Sequence, residues 1–174
     1  MKILVINSIS FKKRMIELLF DYLFILAYLA LLFLGSMLFY IIFFNGIPEF
    51  TEIQSQCLVF FTSVLPVTLL FTFLDYTKNG SFGKAKAGLQ LVYKKKTVQA
   101  SLLRNTIKFL PWQIGHMGTI HGFYSEFDFL SFILSFLATL LAVALLVMMV
   151  FRKDKRHLGD LIAHTQVQVQ LKGD

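Results

Sequence analysis

Charge is scarce in this chain. Asp, Glu, Lys and Arg make up 16% of its 174 residues against 56% hydrophobic, and the mean hydropathy is +0.68. That balance lies far from ordinary soluble usage. A single cysteine, Cys57, rules out an internal disulfide and reads as a small apolar residue near a helix end. Acidic residues are fewer than basic ones, so the net charge is +7. In a soluble protein such an excess would raise nucleic acid as a partner. Here the basic residues flank apolar runs, so anionic lipid headgroups and membrane topology explain them, and no nucleic-acid partner is expected. No small-residue cleavage site follows the first apolar run, which is too long for a signal-peptide core and reads as an uncleaved span.

Chemistry-bearing clusters are missing as well. His116 and His121 stand five apart, off a common helical face, and His157 and His164 are isolated, so neither a metal nor another cofactor is expected. Gly80-Ser-Phe-Gly-Lys84 lacks the spacing and the following hydroxyl of a phosphate loop. Nothing arranges Ser, His and Asp as a nucleophilic triad, so the chain is not expected to be an enzyme.

Long uncharged runs are what the sequence does have. Residues 22–44 carry no formal charge, enough for about 34 Å of helix against a hydrocarbon core of roughly 30 Å. Just before them Arg14, Glu17 and Asp21 recur at helical spacing on one face. Charge entering the bilayer's edge is costly, so this stripe should face protein or water and have partners. Residues 57–74 form a second uncharged run with Pro66 inside it, where neighbouring Thr62, Ser63 and Thr68 are expected to satisfy the freed carbonyl. Residues 129–151 form a third.

Lys and Arg alternate along the chain: four in the N-terminal segment, none in 45–56, eight in 75–108, none in 117–128 and five in the tail. Such positive-inside sorting requires a crossing between Lys108 and Glu126, although that segment holds Pro111, three glycines and two histidines. The expected fold is an all-α membrane protein: a single domain over 1–174, a four-helix transmembrane bundle with spans near 17–44, 57–75, 105–125 and 129–151. The third crossing is short or re-entrant, and Arg104 and Lys108 would snorkel toward the inner surface. Both termini are expected in the cytoplasm of a multi-pass cell-membrane protein. Residues 89–93 alternate, as do 164–171 with Thr165, Val167, Val169 and Leu171 on one face, so the two segments are expected to pair as a small cytoplasmic β element.

These residues, taken together, resemble the RDD family of membrane proteins, named for one arginine and two aspartates. Arg14 and Asp21 match its opening pair. Gly83-Lys84 with Gly88-Leu89, then Leu103-Arg104-Asn105, resemble its middle motifs, and Arg156, Asp160, Thr165 and Val167 its terminal signature. Glu17, Gly159 and His164 depart from the pattern, so any role of the family's histidine would shift to His157 or lapse. The resemblance points toward transport, with sodium/proton exchange proposed for some members.

Two functions remain open at this stage. In the first, Asp21, Glu17, Arg14 and Asp75 form an ion or proton site for monovalent cation/proton exchange, with a homodimer implied because four short helices are few for a pathway. The second is a non-catalytic anchor or assembly partner, binding a protein or anionic lipid through the basic loop and tail. On the bland reading, Arg14 and Asp21 pin a helix end, or Asp21 neutralises Arg104 or Arg156, while Asp160 ties the tail to Lys84 or Lys86.

Overall fold

The computed structural model describes residues 9–170. Helix α1 (Phe11–Phe44) is capped by the Ser10 hydroxyl, which accepts from the Lys13 amide, and ends at Asn45 in the left-handed conformation that asparagine tolerates. Its buried residues are Arg14, Glu17 and Asp21. Its apolar side chains face outward, the inverse of a soluble amphipathic helix and what lipid as solvent dictates.

The second span, Glu52–Lys78, consists of α2 (Glu52–Val59), one π-helical turn (Phe60–Val64) and α3 (Leu65–Lys78). Pro66 has no N–H for the carbonyl four residues earlier, that of Thr62. The local hydroxyls do not supply the replacement: Thr62, Ser63 and Thr68 each donate to their own i−4 carbonyls. Instead Tyr28 of α1 donates its hydroxyl to the Thr62 carbonyl at 2.5 Å, so the π-helical turn before Pro66 is a helix–helix joint. It packs beside an apolar cluster of Val67, Phe71 and Phe109, with Tyr28 and Trp112 at its edge.

After Asn79 the chain forms α4 (Phe82–Ala87) and β1 (Leu89–Tyr93). Helix α5 (Val98–Tyr124) returns alongside the second span, and α6 (Phe129–Phe151), α7 (Leu158–Ile162) and β2 (Thr165–Val169) follow. The strands pair antiparallel, Leu89 opposite Val169 and Tyr93 opposite Thr165, as the two alternating patterns require. Leu171 lies outside the described residues. Ala87, Leu89, Leu91 and Val167 close with Ile9 into a small core at the end of the bundle where α1 begins.

Among the described residues three helices are long and apolar enough to cross a bilayer: α1, the Glu52–Lys78 span and α6. Residues 105–124 do not form a re-entrant loop; they belong to an unbroken helix that starts at Val98 and contains Pro111, with Ser125 as its C-cap. Helix α5 has 27 residues, as does the Glu52–Lys78 span, and the two touch at both ends. At one end Tyr124 donates to the Phe50 carbonyl and Gln56 to that of Met117. At the other, Arg104 and Asn105 hold Asp75. The start of α1 and the segment after α6 meet where Arg14 Nη2 donates to the Lys155 carbonyl at 2.7 Å.

Candidate functional site

At that shared end, the charges sequence reasoning singled out close into one buried network. Arg14 Nη1 holds Glu17 Oε2 at 2.7 Å; the other Glu17 oxygen lies 3.4 Å from Lys84 Nζ. Lys84, wholly buried, also reaches Asp75 Oδ1 at 3.4 Å. Arg104 then bridges two acids, Asp75 through Nη1 and Asp160 through Nε, each at 2.7 Å. Asp21 joins from the side: Ser81 and the Gly83 amide each donate to it at 2.9 Å, and Lys108 lies 3.3 Å away. Ser81 in turn accepts from Lys84 Nζ. Glu17, Asp21, Asp75 and Asp160 thus face Arg14, Lys84, Arg104 and Lys108, four charges against four. Asn105 donates to Asp75 and to the Ser101 carbonyl, and Thr165 donates to Asp160 at 2.9 Å.

Local sequence explains how each group arrives. Arg14, Glu17 and Asp21 share a face at offsets of three and seven. Ser81 caps α4, whose first turn presents the Gly83 amide to Asp21; the would-be phosphate loop holds a carboxylate of the chain itself. Gly83 is required there, because a Cβ would lie 2.1 Å from the Glu17 carbonyl oxygen. His157 and Asp160 form a reciprocal cap on α7.

Outside the spans, burial works to strip the proton from Lys84, but Asp75, Glu17 and Asp21 outweigh it and hold the pKa above the ordinary lysine value. Burial opposes ionisation of Asp160 too, and Arg104, His157 and Thr165 nonetheless keep it well below the carboxylate range. Both are therefore charged at neutral pH. The His157 imidazole is pulled down to about 4 by burial, against Asp160, and is neutral.

Several pairings differ from those the sequence suggested. Arg14 pairs with Glu17, and Asp21 with Lys108; neither Arg104 nor Arg156 serves Asp21. Asp160 is tied to Arg104, while Lys86 is solvent-exposed. Arg104 does not snorkel; it is 2% exposed. Arg156 instead donates to the carbonyls of Thr165 and Asp160. Ser81 and Lys108 are members that sequence reasoning left out of the site, and His157 entered it only as a stand-in for the family's histidine. The one signal for Ser81 was its place before a short helix as a cap.

Arg14, Asp21 and Asp160 sit in one connected cluster, and a model of the RDD family matches residues 9–164. The chain belongs to the RDD family. No curated protein and no solved structure resembles it closely enough to extend that assignment. In this RDD protein the arginine and two aspartates act through intermediaries: Glu17, Lys84, Asp75 and Arg104 link Arg14 to Asp160, and Ser81 links Asp21 to Lys84. No group of three or more His, Cys, Asp or Glu side chains suited to a metal ion occurs among the described residues.

Proposed function

We propose that this RDD protein is a non-catalytic, multi-pass membrane module that docks its basic end on anionic lipid headgroups at the cytoplasmic face of the cell membrane. Both termini lie on that side, and α5 makes the fourth crossing. One observation carries the reading. The buried acids and bases cancel, so the excess positive charge stands on the surface, and it stands at one end. The exposed Lys12, Lys78, Lys86, Lys94, Lys95, Lys96, Arg152 and Lys153 lie around the network, whereas the exposed Glu49, Glu126 and Asp128 lie in the opposite loops. Basic clusters beside spans attract anionic leaflets at about 1 kcal/mol per residue near the surface, and salt screens them. The network then serves as a rivet, joining α1, α3, α4, α5 and α7 so that the basic surface is held rigidly against the spans.

The test is lipid enrichment. Protein extracted from mixed bilayers with a native lipid shell should carry more anionic lipid than the bulk. Replacing Lys94, Lys95 and Lys96 with Gln, or raising salt, should lower that enrichment. A shell of bulk composition in the parent protein overturns the reading.

A second reading, monovalent cation/proton exchange through Asp21, Glu17, Arg14 and Asp75, draws support from Lys108. Its side chain is 21% exposed while Asp21 is nearly buried, so a cation could displace the ammonium at Asp21. In proteoliposomes, pH-gradient-driven cation uptake that Asp21→Asn abolishes would favour exchange. Equal uptake by parent and variant excludes that role for Asp21.

A further inference from the structure

Helices α1 and α6 stand apart, and the gap between them, backed by α5, is a cavity of about 640 Å³. This lies within the roughly 300–1,000 Å³ of ordinary ligand sites. Its walls are mostly apolar, among them Ile25 of α1, Trp112 of α5, and Ala142 and Leu146 of α6, with the hydroxyls of Tyr22 and Thr139 as exceptions. Its floor is polar: Glu17, Arg104, Lys108 and His157.

The floor offers donors and no free acceptor. Both Glu17 oxygens are engaged, one by Arg14 and one by Lys84. Arg104 is spent on Asp75 and Asp160. Lys108 has three N–H groups and one acidic partner, Asp21; its ammonium otherwise lies over the rings of Phe71 and Phe109, at 4.4 and 5.1 Å. His157 supplies the second donor. Its Nδ1 accepts from the Gly159 amide at 3.0 Å, which places the hydrogen of the neutral ring on Nε2. That Nε2 is buried without a hydrogen-bond partner; Asp160 Oδ2, 3.3 Å away, lies off the hydrogen-bonding direction. A buried unpaired donor costs about 1–3 kcal/mol, and one lining a cavity beside an under-used ammonium is suited to an anionic oxygen.

We propose that this cavity binds one anionic lipid of the surrounding bilayer, its acyl chain between α1 and α6 and its phosphate against Lys108 and His157. The proposal rests on the reading that the helices stand in a bilayer, but it concerns a site inside the spans and not the exposed lysines that dock on the leaflet. Charge complementarity selects the occupant. A zwitterionic lipid would bring a cationic headgroup to a floor whose one carboxylate, Glu17, is already paired with Arg14 and Lys84, and a soluble phosphate would leave the apolar walls empty.

The probe is phosphatidic acid carrying a diazirine in its acyl chain, photolysed with the full chain in mixed vesicles. Adducts should concentrate on the peptides bearing Trp112 and Leu146. Unlabelled phosphatidic acid should compete about tenfold better than phosphatidylcholine, and glycerol phosphate should not compete. Ala142→Trp, which fills the cavity, should cut the adducts about tenfold; Leu146→Trp serves the same purpose should the first variant fail to fold. The charge-balanced double variant Asp21→Asn with Lys108→Gln should keep the adducts but lose the preference for the anionic lipid. The Lys94/Lys95/Lys96→Gln variant should leave labelling intact, which separates this site from leaflet docking. Adducts spread evenly over the outer faces, equal competition by phosphatidylcholine, or full labelling of the folded cavity-filling variants would overturn the proposal.

Discussion

His157 shows how much of the site depends on protonation at single atoms. Its Nδ1 must stay unprotonated to accept from the Gly159 amide, and burial holds its pKa at about 4, below the ordinary histidine value of about 6.5. Asp160 favours the charged ring, while Arg104, Lys108 and Lys84 oppose it. The unfolded chain therefore takes up a proton that the folded chain refuses between those two values. Stability is complete above about pH 6.5 and falls as pH drops toward 4, by roughly 3 kcal/mol in all. Asn at this position can still cap α7 but does not titrate. His157→Asn should therefore flatten the acid side of the thermal-stability profile in detergent between pH 6.5 and 4. An unchanged acid slope would show that the ring is not held neutral.

Asp75 is the second residue on which the network turns, since Lys84, Arg104 and Asn105 all converge on it. Removing one partner of a buried ion pair strands the other, typically at 3–5 kcal/mol. Asp75→Asn should destabilise by about that amount, read as a drop in the thermal midpoint in detergent. A loss under about 1 kcal/mol would mean that water, not Asp75, compensates the two cations.

At the level of elements, α4 decides the packing. Its first turn rests directly on α1, and an alanine at Gly83 would put Cβ 2.1 Å from the Glu17 carbonyl and 2.6 Å from an Asp21 oxygen. Backbone cannot yield as a side chain can, so Gly83→Ala should cost about 3 kcal/mol or more. It should also disturb Asp21, whose hydrogen bond comes from the Gly83 amide. A variant within about 1 kcal/mol of the parent would mean that α4 is loosely seated.

The sequence made the elements legible because lipid imposes simple rules: uncharged runs of sufficient length become α1, the second span and α6, and alternation produced the β1–β2 pair. Local spacing also showed that Arg14, Glu17 and Asp21 share a face. It could not show their partners, because Lys108 reaches Asp21 from 87 residues away and Arg104 reaches Asp160 from 56. The π-helical turn and its bond from Tyr28 escaped for the same reason: proline predicts a freed carbonyl, not which distant hydroxyl will take it.

On the scale of the molecule, helix α5 is where composition and geometry part. It carries Arg104 and Lys108, so it is less apolar than the other long helices, yet it matches the second span in length and meets it at both ends. Arg104 and Lys108 are both paired with acids inside the protein, the condition a charged helix must meet to enter a bilayer. On the proposed reading α5 is the fourth crossing, which would put both ends of the described chain and the exposed lysines on one side of the bilayer.

Cysteine labelling in intact cells tests this most directly. In a Cys57→Ser background, single cysteines at Lys13, Lys95, Lys153 or Glu126 would be probed with a membrane-impermeant maleimide. Glu126→Cys should react from outside, while the other three should react only after the membrane is opened. Labelling of Glu126→Cys and Lys95→Cys from the same side would contradict the fourth crossing, and with it the one-sided basic face.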